Sequence, residues 1–279
     1  MEFLSMGDFI EFAFLQKALI TTLFISLTCG LLSPFIIAKR YALMGSAISH
    51  STILGLSIGM LLFSGLEGGA TFLITLAITL VLAMGLAYSS YREKIPADSL
   101  IGIFFSFTMG LGILIHYLGS NSKGDLLGLL FGNVLLLQPS DLYIACLITI
   151  ISFAVLCIPF KNWILVVLDE QTAQAKGLNT KLYHYGFMAL LTIVIVCSIK
   201  LAGTILINTL LLVPGTFALK ISNNLRQTFL NSIVFSVIVS VLGLVFANHL
   251  GLPTGASLTV IQFLFLFLAI IIKKTLKYS

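Results

Sequence analysis

The side chains able to do chemistry are few, and one of them stands where chemistry is least expected. His50 lies within ALMGSAISHSTILGLSIGMLL, residues 42–62. As a helix, this run puts Ser46 one turn before His50 on the same face, with Ser49 beside them. A neutral imidazole nitrogen is a good ligand for zinc and several other transition metals, whereas a serine hydroxyl is a weak, neutral one. Two readings stand: His50 ligates a metal ion, or it hydrogen-bonds a neighbouring helix. Ionisable groups at membrane depth are functional by default. His116, His184 and His249 fall at the ends of apolar runs, where residence at an interface explains them, His184 between Tyr183 and Tyr185.

Enzymatic chemistry has little to stand on. The phosphate-cradling GxxxxGK[ST] pattern is missing, so the chain does not hydrolyse ATP itself. There is no HExxH, no GxSxG followed by plausible partners, and no pair of membrane carboxylates of the kind a proton-driven carrier needs. Cys29, Cys146, Cys157 and Cys197 are scattered singly in apolar runs and read as small core residues.

The elements that must position His50 are membrane spans. Of the 279 residues 59% are apolar and 9% charged, against about 45–50% and about 25% in soluble domains. Runs near the ~20 residues that cross hydrocarbon recur throughout. They predict an all-α, polytopic transmembrane bundle, a single domain over 1–279 with its membrane part at 18–272. Crossings are expected near 18–38, 42–63, 70–90, 99–118, 142–160, 183–199, 201–219, 229–248 and 253–272. That makes about nine, or eight if 183–219 breaks differently, because KLAG at Lys200 leaves almost no loop. LLGLLFGNVLLL, 126–137, is too short to cross and reads as interfacial or re-entrant. The N-terminus lacks the basic start and cleavage site of a removable signal. Nucleic acid is not an expected partner.

Lys and Arg gather in cytoplasmic loops. One set of loops holds Lys39, Arg40, Arg92, Lys94, Lys161, Lys176, Lys181, Lys220, Arg226, Lys273, Lys274 and Lys277; the other holds Lys17, Lys123 and Lys200. This split puts the C-terminus in the cytoplasm and the N-terminus outside. Lys200 reads as a headgroup anchor.

The longest inner hydrophilic interval includes residues 164–182, where DEQTAQAKG has the grammar of a short helix. Asp169 and Glu170 stand at its start, where acids are favoured, and Gly177 at its end can take the left-handed closing conformation. Ala173 and Ala175 keep it slim. Such a helix suits a groove in a soluble partner, or lies on the protein's own spans.

Several stretches in order, AKRYALMGSAISHSTILG, DSLIGIFFSF, DLLGLLFGNVLLLQPSDL, LDEQTAQAKGL, KLAGTILINTLLLVPGTFAL and LPTGAS, resemble the metal-type permease family of ATP-binding-cassette importers. They reach from about residue 18 to 260. The resemblance implies a bacterial cell (inner) membrane, a homodimer, two cytoplasmic ATPase subunits and an external metal-binding protein. It implies that Asp169, Glu170, Ala173, Ala175 and Gly177 form the helix that couples to the ATPase, and that His50 contacts metal in the path. No permanent cofactor is implied; Zn2+, Mn2+ or Fe2+ is substrate. Where the family usually carries an aspartate this chain has Ser46, losing a negative charge and a hard oxygen donor. That loss tips the expectation slightly to zinc. Pro214 and Pro253 are candidate helix bends. The alternatives are a permease for chelated iron or another organometallic ligand, and a membrane scaffold that transports nothing.

Overall fold

The structure, a computed structural model, describes residues 13–62, 68–92, 97–119, 132 and 139–278. Its elements are helices: α1 (Ala13–Ala38), α2 (Ala42–Leu62), α3 (Gly68–Arg92), α4 (Ala97–Leu118), α5 (Pro139–Cys157), α6 (Phe160–Leu168), α7 (Glu170–Ala175), α8 (Thr180–Ile221), α9 (Leu225–Leu250) and α10 (Thr254–Tyr278). Among the described residues nine stretches are long and apolar enough to cross a membrane, within a few residues of the expected boundaries. Hydrocarbon offers the backbone no partner, so a spanning segment closes its hydrogen bonds within itself.

The doubtful boundary at KLAG resolves at one residue. α8 is continuous in outline but contains two spans, Thr180–Ile199 and Ala202–Ile221. Gly203, at the start of the second, has φ 74° and ψ 161°, outside helical space. Glycine takes such a conformation without the steric penalty of a Cβ. Apart from Gly132, the run 126–137 lies outside the described residues. Gly132 itself has φ 69°, and a Cβ there would come within 2.4 Å of the Ala202 carbonyl carbon, so the two backbones meet at the break.

The residues form two compact units. One comprises Met1–Arg40, Leu130–Ile158 and Ser198–Ser279; the other comprises Tyr41–Leu129 and Pro159–Cys197. In the first, α9 packs between α1 and α10, and α1 also packs on α5. The approach of α1 to α9 is close because Gly30 has no side chain: a Cβ would lie 2.9 Å from Ile233 Cα. Ser232 Oγ donates to Gly30 O at 2.7 Å. Thr149 Oγ donates to Ala145 O at 2.7 Å and lies 2.9 Å from Thr28 Oγ, tying α5 to α1. α1 carries Pro34 and α8 carries Pro214. Pro34 has no N–H for the Gly30 carbonyl four residues before it, the carbonyl that Ser232 Oγ serves, and beside the prolines the Gly215 amide donates to Ser33 Oγ at 2.7 Å. Pro253, expected as a bend, instead precedes the first residue of α10, and its carbonyl accepts from Ser257 N at 3.1 Å. A proline at the head of a helix loses no internal bond, so it starts this helix rather than bending one.

In the second unit α2 packs against both α3 and α4. A Cβ on Gly55 would lie 2.9 Å from Thr75 O, one on Gly59 would lie 3.2 Å from Thr71 O, and one on Gly112 of α4 would lie 2.8 Å from Leu54 N. Small residues allow this backbone approach in place of a hydrophobic driving force that lipid cannot supply.

Gly215→Ala places a methyl 2.7 Å from Ser33 backbone atoms, whereas Gly85→Ala points into open space. The first change is expected to lower the melting temperature of the detergent-solubilised protein by several degrees, consistent with an overpacking cost of about 1–3 kcal/mol. The second leaves it unchanged or raises it; equal melting curves would show that the α1–α8 contact is not tightly packed.

Candidate functional site

α2 brings Ser46 and His50 to one face, one turn apart, both half-buried. The remaining α2 hydroxyls turn inward to their own helix: Ser49 Oγ donates to Gly45 O at 2.9 Å, Ser51 Oγ to Ile48 O at 2.8 Å, Thr52 Oγ to Ile48 O at 3.1 Å and Ser57 Oγ to Ile53 O at 2.8 Å. His50 does not do this through Nδ1. Its Nδ1 is buried and has no hydrogen-bond partner, and its ring stands edge-on to Phe105 of α4 at a centroid separation of 4.7 Å and 81°. The hydrogen bond to a neighbouring helix, the bland reading of His50, is not made through Nδ1. A buried nitrogen lone pair or N–H left unmatched costs about 1–3 kcal/mol, so the position favours an occupant able to use it.

Ser46 and His50 alone do not make a complete metal site. Among the described residues no three His, Cys, Asp or Glu side chains gather closely enough to hold an ion. One chain offers an imidazole and a hydroxyl, fewer donors than a closed metal site uses. His116 and His249 lie at the C-terminal ends of α4 and α9. His184 is elsewhere: its Nδ1 lies 2.8 Å from the Tyr41 hydroxyl and its Nε2 lies 3.1 Å from Ala87 O. The aromatic triplet Tyr183–His184–Tyr185 was the signal for this cluster, but Tyr41 and Ala87 are too distant in sequence for reading along the chain to join them.

The expected short helix is present as α7. Asp169 caps it, its carboxylate accepting from Thr172 N at 3.0 Å and also from the Thr172 hydroxyl. These bonds hold the Asp169 carboxyl below the ordinary carboxylate range, the side-chain bond contributing most. At the other end Gly177 has φ 78°, and Leu178 N donates to Ala173 O at 3.0 Å, the six-to-one closure of a glycine-terminated helix. Gln174 Nε2 donates to Thr180 Oγ at 3.1 Å and pins α7 to the start of α8. Asp169, Ala175 and Gly177 are exposed, as are Gln171, Thr172 and Lys176, and Glu170 is half-buried. Ala173 corrects the sequence expectation. It is 0% exposed and faces the protein itself, because a six-residue helix has one inward position per turn and the smallest side chain takes it. It seats the helix and offers nothing to a partner.

Comparison with known proteins gives a consistent picture. A profile of the ABC 3 transport family matches residues 11–273. The chain is 32% identical over 260 residues to the manganese transport system membrane protein MntC of Listeria monocytogenes, covering 93% of this chain and 90% of that one. It is 31% identical over 265 residues to a Haemophilus influenzae protein named "Probable iron transport system membrane protein", covering 95% and 96%. The solved structure of PsaBC from Streptococcus pneumoniae in complex with Fab superposes with a TM-score of 0.83 at 32% identity, over 95% of each chain. With nine apolar spans among the described residues and a family match over nearly its whole length, this chain belongs to the ABC 3 transport family, as a membrane permease whose ATPase is a separate subunit.

Proposed function

We propose that the chain is the permease subunit of a bacterial ATP-driven importer for divalent transition-metal ions, a single permease domain working as a homodimer. The buried, unpartnered Nδ1 of His50 carries this reading. Two copies of α2 would bring two imidazoles, the Ser46 hydroxyls and water around one partly dehydrated cation between an outer and an inner gate. Transient ligation suits conduction, since an ion held too tightly does not leave. The outward residues Asp169, Ala175 and Gly177, with half-buried Glu170, would enter a groove of the cytoplasmic ATPase; nucleotide-driven closure of that ATPase would push on α7. An external metal-binding protein would deliver the ion. The distribution of Lys and Arg supports a cytoplasmic C-terminus, an external N-terminus and residence in the cell (inner) membrane. Pro214 stays a candidate bend within α8.

Relatives named for manganese and iron favour those metals over zinc. Ser46 favours the zinc reading, because manganese prefers carboxylate oxygen and zinc accepts imidazole nitrogen. A chelated metal would need no side-chain ligand on its path, and the open His50 nitrogen argues for the bare ion.

In proteoliposomes containing the complete transporter, His50→Ala is expected to cut Mn2+ uptake about tenfold or more, the scale on which metal sites respond to loss of a supporting group, with assembly intact. Uptake at the wild-type rate removes His50 from the path. Ser46→Asp supplies a hard oxygen and is expected to raise the ratio of Mn2+ to Zn2+ uptake; an unmoved ratio rejects Ser46 as a ligand. Ala175→Trp puts a large ring on the outward face of α7 and is expected to abolish co-purification of the ATPase, while full association would place the docking surface elsewhere.

A further inference from the structure

We infer that the Tyr41–His184 hydrogen bond is the tie by which movement of the α7 helix reaches the start of α2 and hence the His50 position. The inference rests on the permease reading above and adds two positioning residues to it.

The tie is built at both ends. Tyr41 caps α2: its carbonyl accepts the first bond of the helix, from Gly45 N at 3.1 Å. Arg40 before it turns the chain with φ 58°, a conformation that few non-glycine residues adopt. Because Tyr41 is locked to the first turn, its ring moves with α2. His50 lies nine residues on, about 13 Å along the axis. His184 stands one turn into α8, directly after the α7 loop.

The bonding pattern fixes the tautomer. The Ala87 carbonyl is only an acceptor, so His184 Nε2 carries the hydrogen and donates to it. In the neutral ring Nδ1 is then an acceptor, and the Tyr41 hydroxyl donates to it at 2.8 Å. Burial, and then the charge of Glu170, raise the Tyr41 phenol further above its usual range, so the donor keeps its proton. Glu170 is the first residue of α7. One bonded chain therefore joins α3 through Ala87, α8 through His184 and α2 through Tyr41, with the first α7 residue close enough to act on Tyr41 electrostatically.

Ring packing stiffens this chain. Tyr91 and Tyr185 lie 5.4 and 5.3 Å from the His184 ring, and Phe187 lies 6.1 Å from Tyr41. Phe187 is followed at 6.0 Å by Trp163, which is buried on α6, the helix leading into α7. Rigid rings transmit a displacement that flexible side chains would absorb.

The test uses the assembled permease–ATPase complex, with Mn2+ as probe and two readouts: Mn2+ moved per ATP hydrolysed, and hydrogen exchange of the amides at 42–46 with and without ATP. Tyr41→Phe and His184→Leu are expected to lower Mn2+ per ATP and raise exchange at 42–46 about fivefold, the factor that loss of one ordinary buried hydrogen bond gives. His184→Gln keeps a donor for Ala87 O and an acceptor for the Tyr41 hydroxyl, and is expected to restore both readouts. Wild-type values in Tyr41→Phe and His184→Leu overturn the inference. So does failure of Gln where Leu fails, which would reduce His184 to a space-filler, and so does raised exchange with an unchanged Mn2+ yield per ATP. A wild-type complex that hydrolyses ATP but moves no Mn2+ defeats the metal reading instead; an ATP-dependent change in exchange at 42–46 that Tyr41→Phe abolishes would still support the tie.

Discussion

A polar group taken into hydrocarbon must find its partner inside the protein, and this constraint organises the molecule. It confines the described spans to helices. It also explains how α2 stays in the bilayer with Ser49, Ser51, Thr52 and Ser57 in its middle, because each hydroxyl returns to a carbonyl of its own helix. The same helix makes an exception of His50. The His50 imidazole does not return its Nδ1 to its own helix, and that nitrogen stays open beside Phe105.

Close packing turns that exception into a fixed position. α2 is gripped by α3 through Gly55 and Gly59, and by α4 through Gly112. Dispersion forces gain most when backbones meet, and at these points a methyl group would already collide. The first compact unit uses the same device at Gly30 and Gly215. There it is combined with hydrogen bonds to Gly30 O and from Gly215 N, so that a serine hydroxyl serves each glycine contact. Pro34 frees the Gly30 carbonyl, and Ser232 supplies the missing donor.

On the loop side, order is local rather than buried. α7 holds its shape in six residues because Asp169 satisfies its first turn and Gly177 closes its last. Ala173 beneath it and Gln174 reaching Thr180 anchor it. A helix so small, capped at both ends and presented outward, gives a partner a stiff handle while its near end stays next to Tyr41. The helix that carries His50 and the outward α7 belong to the same compact unit, which also contains the beginning of α8.

Hydropathy and charge along the chain were enough to determine the all-helical class, the spans, the short capped helix and the singular position of His50. These depend on interactions between residues close in sequence: hydrogen bonds within a turn, caps three residues apart, and the length of an apolar run. The chain also placed Ser46 and His50 one turn apart on one helix face, as the structure has them. What it left undetermined depends on contacts between distant residues. Gly203 rather than the KLAG lysine breaks α8; Pro253 starts a helix; Ala173 faces inward; Tyr41 finds His184 across 143 positions. Each of these was settled by which surfaces press together, and a one-dimensional pattern of apolar and polar residues contains no record of that pairing.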